Sequence, residues 1–395
     1  MVKALLEKLN PDNWPLPVDQ LPVGTALVGG AVRDGLLNRL KAQPDLDLVV
    51  PNNAIKISQN FAQILGATVV VLDSERDMAR LVFKGWTIDF ARQIGCSLEE
   101  DLWRRDFRIN AIGLTLGPSP EILDPTGGIE DLKQKMLVAV NERNLIEDPL
   151  RCLRGFRLMA ELDLSFDPQT RTFINTHASQ LPRVAPERIQ SELQRIVCVK
   201  AADKVLDLLK DVGILNCWCN KEDTLKRINP YSYNQNIFNF KELSLALPLV
   251  RLTHLLSDSG LVKLRFSRKQ CYRCKSLRKW QKHYDGRGFE TLKEEDRFQL
   301  HKDLEDYLPA LIFQLSSKDQ EVWINRWRDL GDPLFHPSSP VDGNTLREIL
   351  DLPEGPKLGA LIHHLSHERA FGRLSNIDQT IQEARNWWNH NSTFL

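Results

Sequence analysis

Residues 27–37 read Leu-Val-Gly-Gly-Ala-Val-Arg-Asp-Gly-Leu-Leu, and residues 44–50 read Pro-Asp-Leu-Asp-Leu-Val-Val. In the first stretch, Gly29 and Gly30 follow a short apolar run and precede a helical pattern. Glycines at such a turn let backbone N–H groups approach an anion with no Cβ in the way. The first stretch therefore predicts a phosphate-binding turn.

The second stretch places Asp45 and Asp47 in alternation with two leucines. In an extended strand, successive side chains point to opposite faces, so the two carboxylates share one face. Neighbouring carboxylates repel each other unless a cation joins them, and Mg²⁺ binds through one or two carboxylates together with substrate phosphates. Either motif alone is common in turns and solvated strands. Their order and closeness favour a magnesium site at Asp45 and Asp47.

Composition limits the classes of protein that the chain can belong to. A length of 395 residues predicts two or more domains. A formal net charge of zero argues against a protein that coats nucleic acid, so RNA would bind a local basic surface. The sequence shows neither a signal peptide nor an apolar run of about 18 residues, and its seven cysteines, an odd number, fit a reducing compartment. We expect a cytoplasmic protein with no membrane contact; no pattern sets an oligomeric state.

The order Gly-Gly-x-Val-Arg-Asp and then Asp-x-Asp resembles the first signature of the class II tRNA nucleotidyltransferase and bacterial poly(A) polymerase family, within the DNA polymerase β-like nucleotidyltransferases. The resemblance implies an α+β fold, in which a small mixed-sheet head precedes an all-helical neck, body and tail. The predicted boundaries are 1–138 for the catalytic head, 139–200 for a neck with the nucleotide-template motif, 201–295 for the body and 296–395 for a tail that binds tRNA.

The same resemblance assigns roles in the head. It implies that Gly29, Gly30 and Arg33 bind the triphosphate of the incoming nucleotide. It also implies that Asp89, in the strand-like run 87–91, is a third catalytic carboxylate beside the aspartate pair. The alternative for Asp89 is an exposed strand residue without a catalytic role.

Residues 98–112 carry acids early and cations late, which is typical of a charged helix or helical turn. The order Arg-Arg-Asp-x-x-x-Asn within them resembles the second signature of the family. That resemblance assigns the ribose and triphosphate of the nucleotide to Arg105, Asp106 and Asn110. Aspartate and asparagine side chains can hydrogen-bond ribose hydroxyls. Residues 124–132 resemble the third signature, and their proline and glycines predict a turn that joins head and neck.

Residues 147–157 read Glu-Asp-Pro-Leu-Arg-Cys-Leu-Arg-Gly-Phe-Arg. On a helix, the three arginines form one slowly turning stripe, which is either a solvated face or a site for anions. The segment resembles the family's template motif, which implies that Asp148 and Arg151 hydrogen-bond the base of the incoming nucleotide. Arg154 would then contact the triphosphate. Residues 184–193 resemble the last signature, a helix that packs the neck.

The specificity prediction depends on a missing loop. CCA-adding members of the family carry a flexible loop before the second signature, which re-aims the template residues from CTP to ATP. Here residues 90–97 run almost directly into Leu98, so the resemblance implies a CC-adding enzyme that uses CTP and Mg²⁺. The alternatives are a CCA-adding enzyme, an A-adding enzyme or a poly(A) polymerase, which would also use ATP. A non-catalytic RNA-binding protein is the alternative from another class, and the intact aspartate pair argues against it.

Residues 263–282 hold nine lysines and arginines and no acid, together with Tyr272 and Trp280. Such a local basic stretch in a neutral chain predicts contact with the phosphate backbone of tRNA. The predicted RNA-binding residues are Lys263, Arg268, Lys269, Lys275 and Lys279.

Overall fold

The computed structural model describes residues 1–200, 202–219, 237–284, 292–333 and 335–391. They form two compact units, Met1–Ile214 and Leu215–Leu395. The first unit combines a mixed sheet with helices, whereas the described part of the second unit contains helices and no strands. Among the described residues, no helix is both long and apolar enough to span a bilayer. The predicted division of the chain into head, neck, body and tail stays a prediction.

Seven strands of the first unit form one mixed sheet: β1 (Ala26–Val28), β2 (Leu46–Val50), β3 (Thr68–Asp73), β4 (Met78–Phe83), β5 (Trp86–Arg92), β6 (Gly113–Thr115) and β7 (Ile122–Leu123). Their order is β3-β4-β5-β2-β1-β6-β7. Strands β2 and β5 are parallel, and the other neighbours are antiparallel. Two further short strands, β8 (Met136–Leu137) and β9 (Ser165–Phe166), pair with each other. The predicted α+β class is confirmed.

The helices of the first unit are α1 (Val2–Leu9), α2 (Gly30–Leu36), α3 (Ala54–Leu65), α4 (Leu98–Trp103), α5 (Gly128–Lys133), α6 (Glu142–Glu147), α7 (Leu150–Leu162), α8 (Pro168–His177), α9 (Pro186–Cys198) and α10 (Asp203–Val212). Those described in the second unit are α11 (Phe240–Leu255), α12 (Asp258–Lys263), α13 (Arg268–Tyr284), α14 (Glu294–Leu304), α15 (Leu308–Ile312), α16 (Ser317–Arg328), α17 (Gly343–Leu350), α18 (Pro356–Ala370) and α19 (Ile377–His390). The described residues beyond the first unit are thus helical, as the resemblance implied.

The centre of the sheet separates an apolar face from a charged face. Leu48 of β2 lies opposite Phe90 of β5, and both side chains are fully buried. The Phe90 ring stacks on Phe61 of α3, with the ring centroids 6.0 Å apart. Because side chains alternate along a strand, the residues next to Leu48 and Phe90 point to the opposite face. Those residues are Asp47 and Asp89, which lie directly opposite each other.

A turn at residues 124–128 places α5 against the segment that ends at Asn110. The Asp124 carboxylate accepts hydrogen bonds from the backbone N–H groups of Gly128 and Ile129, at 2.7 and 2.9 Å. A Cβ atom on Gly128 would lie 2.1 Å from the backbone oxygen of Arg108. Only glycine permits this contact, so the turn predicted at residues 124–132 also supports the Arg108–Asn110 helical turn.

We expect Gly128→Ala to destabilise the first unit by about 3 kcal/mol, because a backbone carbonyl cannot rotate away from the added methyl group. Gly127→Ala is the matched control. Gly127 has a positive φ of 83° but open space where its Cβ would lie, so its alanine variant should cost only about 1 kcal/mol of strain. Urea unfolding of both variants measures the difference. A Gly128 variant as stable as the Gly127 variant would contradict the packing described.

Candidate active site

A cleft of about 1350 Å³ in the first unit brings together residues from six separate segments of the sequence. Both negative and positive groups line it, which suits a ligand that carries phosphates and a metal ion. The predicted site residues on its wall are Gly29, Gly30, Arg33, Asp45, Asp47, Arg105, Asp106, Asn110, Asp148, Arg151 and Arg154. Asp89 is not among the residues that line the cleft.

The surroundings of Asp47 disfavour the charge on its carboxylate. Burial raises its pKa above the ordinary value, against the lowering effect of the Arg105 guanidinium, and the nearby carboxylates of Asp89 and Asp45 raise it further. The ionised form is therefore disfavoured in the folded chain. A cation bound at this point would reverse that preference.

The donor set at this face of the sheet fits a hard divalent cation. Asp45 and Asp47 offer carboxylate oxygens only, the ligands that Mg²⁺ prefers, and they leave room for phosphate oxygens to complete the shell. Within the described residues, no group of three or more histidine, cysteine, aspartate or glutamate side chains could hold a metal by itself. A metal here would depend on the bound nucleotide for its remaining ligands.

Arg80 is a residue that the sequence analysis missed. Its Nε and Nη2 atoms donate hydrogen bonds to the two oxygens of Asp89, at 2.7 and 2.8 Å. The predicted third carboxylate is thus already paired with a cation of the protein. Residues 84 and 85 form the hairpin turn that sets the pairing of β4 with β5. Lys84 and Gly85 both have positive φ, as two-residue hairpin turns of type I′ require. This turn places Arg80 directly opposite Asp89.

The glycine turn comes very close to the aspartate pair. Gly29 has a φ of 72°, and a Cβ on it would lie 3.3 Å from a carboxylate oxygen of Asp47. Helix α2 begins at the next residue. Arg33, on this helix, is buried and donates hydrogen bonds to Asn110 at 2.6 Å and to Asp34 at 3.0 Å. The turn predicted to bind phosphate therefore faces the carboxylates directly.

The residues predicted to bind ribose form one connected network. The Asn110 amide, which accepts a hydrogen bond from Arg33, donates one to Asp106 at 3.1 Å. Asp106 in turn forms an ion pair with Arg154 of α7, at 3.0 Å. Burial would raise the pKa of Asp106, but Arg154, the Asn110 amide and the Phe107 N–H together hold it below its ordinary value. Asp106 is therefore an ionised acceptor at neutral pH.

Asn144 of α6 links α7, the helix that carries the predicted template residue Arg151, to this network. The sequence analysis did not identify Asn144. Its side-chain amide donates hydrogen bonds to the backbone oxygens of Trp103 and Arg105, at 2.9 and 2.7 Å. Its own backbone oxygen accepts a hydrogen bond from Arg151 at 3.1 Å, and Arg151 also bonds the Arg104 carbonyl at 3.0 Å. The guanidinium predicted to read the base is thus anchored beside the segment predicted to bind ribose.

One member of the predicted arginine stripe is paired with carboxylates of the protein itself. Arg157 is buried and donates hydrogen bonds to Glu192 of α9 at 2.6 Å and to Glu161 at 2.7 Å. Two glutamates of the chain itself therefore neutralise this arginine. It joins α7 to α9, and it lines the cleft together with Arg151 and Arg154.

In the second unit, α13 carries a basic surface along one face. All five predicted RNA-binding residues are exposed, although Lys279 also pairs with Asp303 at 3.0 Å. Arg268, Tyr272, Lys275 and Lys279 follow each other at spacings of three or four residues, so they share a face of the helix. The prediction that Trp280 belongs to this surface is wrong. Its ring is buried in the core, and its N–H donates a hydrogen bond to Asp303 at 2.9 Å.

Known proteins are similar to this chain in both sequence and fold. The profile of the Poly A polymerase head domain matches residues 25–138, and the profile "Probable RNA and SrmB-binding site of polymerase A" matches residues 163–218. A CC-adding tRNA nucleotidyltransferase of Synechocystis sp. is 30% identical over 94% of this chain and 95% of that protein. Another, from Thermus thermophilus, is 31% identical, with 93% of each chain covered. The chain belongs to the class II tRNA nucleotidyltransferase family.

Other relatives of this nucleotidyltransferase carry names that state different products. An A-adding tRNA nucleotidyltransferase of Deinococcus radiodurans is 36% identical over 51% of this chain and 46% of that protein. A solved CCA-adding enzyme with CTP has a TM-score of 0.65 at 19% identity, covering 92% of this chain and 91% of that one. The Thermotoga maritima CCA-adding enzyme complexed with tRNA has a TM-score of 0.62 at 18% identity, covering 98% and 93%. These two structures establish the shared fold.

We expect Asp47→Asn to raise the melting temperature of the metal-free nucleotidyltransferase at pH 7. Since the pKa of Asp47 is raised above its ordinary 3.8, its ionised form destabilises the folded state above the folded-state pKa, and this effect vanishes below the ordinary value. Relief on the order of 1 kcal/mol corresponds to a rise of about 2–4 °C for a unit of this size.

Asp89→Asn is the matched control, measured by the same thermal scan in the presence of a chelator. It removes one charge from the neighbouring strand but also removes the ion pair with Arg80 and one of the two hydrogen bonds, since an amide keeps only one acceptor oxygen, so its melting temperature should stay equal or fall. Equal destabilisation by both variants would contradict the electrostatic description of Asp47.

Proposed function

We propose that this tRNA nucleotidyltransferase adds two cytidylates, taken from CTP, to tRNA that lacks its 3′ CCA end. The observation that carries the proposal is the short connection between β5 and α4, residues 93–97. In CCA-adding members, a flexible loop at this place re-aims the template residues. Two relatives that align with more than nine-tenths of this chain are named as CC-adding enzymes, which supports the same product.

Hydrogen bonds from two successive backbone N–H groups hold the start of the β5–α4 connection. The N–H of Gln93 bonds the Val50 carbonyl at 2.8 Å, which extends the pairing of β5 with β2. The N–H of Ile94 bonds the Asp101 carboxylate at 3.2 Å. Asp101 also accepts a hydrogen bond from Arg105 at 3.1 Å, so the connection is tied to the residues predicted to bind ribose.

Gly95 and Glu100 close the middle of the connection. The Glu100 carboxylate accepts a hydrogen bond from the Cys96 N–H at 2.8 Å. Gly95 has a φ of 90°, and a Cβ on it would lie 2.3 Å from this carboxylate. Five residues held in this way cannot act as a flexible loop that re-aims the template residues. This favours one fixed conformation of Asp148 and Arg151.

Two template residues held in one pose suit cytosine. An ionised aspartate only accepts hydrogen bonds, and an arginine only donates them. Cytosine matches both because its N4 amine donates to Asp148, whereas its N3 and O2 atoms accept from Arg151. Uracil presents a carbonyl where the carboxylate requires a donor. A well-placed bidentate pairing of this kind discriminates between bases by about 1–3 kcal/mol.

The remaining residues suit the transfer reaction itself. Mg²⁺ held by Asp45 and Asp47 would lower the pKa of the tRNA 3′-hydroxyl and stabilise the leaving pyrophosphate. Arg33 and Arg154 place two guanidinium groups on the cleft wall for the triphosphate. The ionised Asp106 and the Asn110 amide, which already bond each other at 3.1 Å, can accept and donate hydrogen bonds to the ribose hydroxyls.

The product decides this proposal. Purified protein should be incubated with Mg²⁺, all four nucleotides and a tRNA that ends at the discriminator base, with one nucleotide labelled at a time. We expect synthesis to stop after two C residues, with CTP strongly preferred over UTP and ATP. Asp45→Ala should lower the rate of nucleotide incorporation by at least about a thousandfold, because loss of a metal ligand removes charge that stabilises the transition state. Binding of tRNA should remain.

Each other product identifies an alternative. Efficient addition of a terminal A after two C residues would show a CCA-adding enzyme. Addition of A only to tRNA that already ends in CC would show an A-adding enzyme, and a long A tail would show a poly(A) polymerase. Full activity of the Asp45 variant would contradict the metal assignment.

Binding of tRNA should depend on the exposed face of α13. We propose that Arg268, Lys269 and Lys275 contact tRNA phosphates, and we expect their triple charge reversal to glutamate to weaken binding by at least about tenfold at low salt and to flatten its salt dependence. Lys279 is left unchanged because it pairs with Asp303. Electrophoretic mobility shifts over a range of salt concentrations measure the effect.

The matched control reverses three exposed cations of the second unit that lie outside α13: Lys241, Lys318 and Arg385. Its net charge changes by the same amount, so a purely global charge effect would weaken both variants equally. Equal affinities of the two triple variants would move the RNA-binding surface away from α13.

A further inference from the structure

Asp148, the predicted acceptor for the base, is itself held by a second cation. Arg188 of α9 donates a hydrogen bond from Nη2 to Asp148 Oδ2 at 2.7 Å, and its Nη1 approaches Oδ1 at 3.4 Å. The Leu150 N–H also bonds Oδ1, at 3.3 Å. Both Asp148 and Arg188 line the cleft. The carboxylate therefore meets the cleft with one edge already engaged.

Arg188 projects from a helix that is firmly fixed to α7. Its neighbours Ile189 and Leu193 are fully buried. One turn further on, Glu192 forms the buried ion pair with Arg157 of α7 at 2.6 Å. The Arg188 side chain, in contrast, is 53% exposed. It therefore contributes little to the packing role that the family resemblance implied for this helix.

The geometry leaves the carboxylate with spare acceptor capacity. A carboxylate can accept about four hydrogen bonds. Arg188 and the Leu150 N–H together use up to three of these positions on the two oxygens. The position that is left can accept one further N–H group from the cleft. Without Arg188, the long hydrogen bond from the Leu150 N–H would be the only hydrogen bond from the described residues that orients the Asp148 carboxylate.

We propose that Arg188 is a specificity-determining positioning residue, which holds the Asp148 carboxylate in one orientation so that it accepts the cytosine amine and repels the uracil carbonyl. The inference rests on the proposed function, in which Asp148 and Arg151 read the base. It deepens that function by naming what fixes the pose in a chain that lacks the flexible loop. Arg188 acts through Asp148 and does not touch the nucleotide.

The test compares the two pyrimidine nucleotides in Arg188→Ala. Values of kcat/KM for CTP and for UTP are measured separately with tRNA that lacks its CCA end. We expect the preference for CTP over UTP to fall about tenfold, in line with loosening of one base-reading pair, with an unchanged melting temperature. A structural defect would instead lower both values by the same factor. Arg188→Lys, which restores the charge with fewer donors, should recover part of the preference.

Arg195→Ala is the matched control. Arg195 lies two turns further along α9, lines the same cleft and is exposed. Its alanine variant removes the same charge from the same helix and should keep the CTP preference of the unmodified protein. An equal loss of preference in the Arg188 and Arg195 variants would show a general charge effect and would overturn the proposal.

The Asp148→Ala variant separates the inference from the function on which it rests. If Asp148→Ala loses the CTP preference and Arg188→Ala keeps it, Arg188 is not a positioning residue but base reading by Asp148 stands. If Asp148→Ala keeps the preference, the base-reading role itself is wrong. The double variant should show no greater loss than Asp148→Ala alone. A further loss would mean that Arg188 acts independently of Asp148 and would overturn the proposal.

Discussion

The site depends on one constraint: the Asp47 carboxylate is held where its negative charge is unfavourable. The apolar face of β2 and β5 packs on α3, so the opposite face must carry Asp47 and Asp89 side by side. The glycine turn at Gly29 then closes over Asp47, with a positive φ that favours glycine and with little space for a Cβ atom beside the carboxylate. This arrangement sacrifices stability for a place where a divalent cation and phosphate oxygens are the natural partners.

Around this carboxylate, ion pairs and hydrogen bonds connect the sheet to the helices that follow it. The network runs from Arg33 through Asn110 and Asp106 to Arg154, and so joins α2 to α7. Asn144 of α6 adds a second connection, which links the backbone of Trp103 and Arg105 to Arg151 of α7. Such a network keeps the donors in place before the nucleotide arrives, and preorganised donors stabilise developing charge far better than mobile ones do.

The same rigidity bears on which base is chosen. A pair of side chains that recognises two different bases must adopt two conformations, and therefore needs a mobile element. Here the β5–α4 connection is held by the carboxylates of Asp101 and Glu100, and Asp148, the predicted template aspartate, is held by Arg188. Both observations favour a single pose, and a single pose fits a single base.

Local patterns in the sequence were enough to predict the strand of the aspartate pair and the glycine turn, because periodicity and backbone chemistry act over a few residues. Most of the predicted residues on the cleft wall came instead from the resemblance of short motifs to a known family. The partners of charged and aromatic groups were not predictable in this way. Asp148 meets Arg188 across 40 residues, and Trp280 meets Asp303 across 23. Periodicity shows which face of an element a side chain occupies, but only the packing of distant elements decides whether that face meets water, a ligand or another side chain.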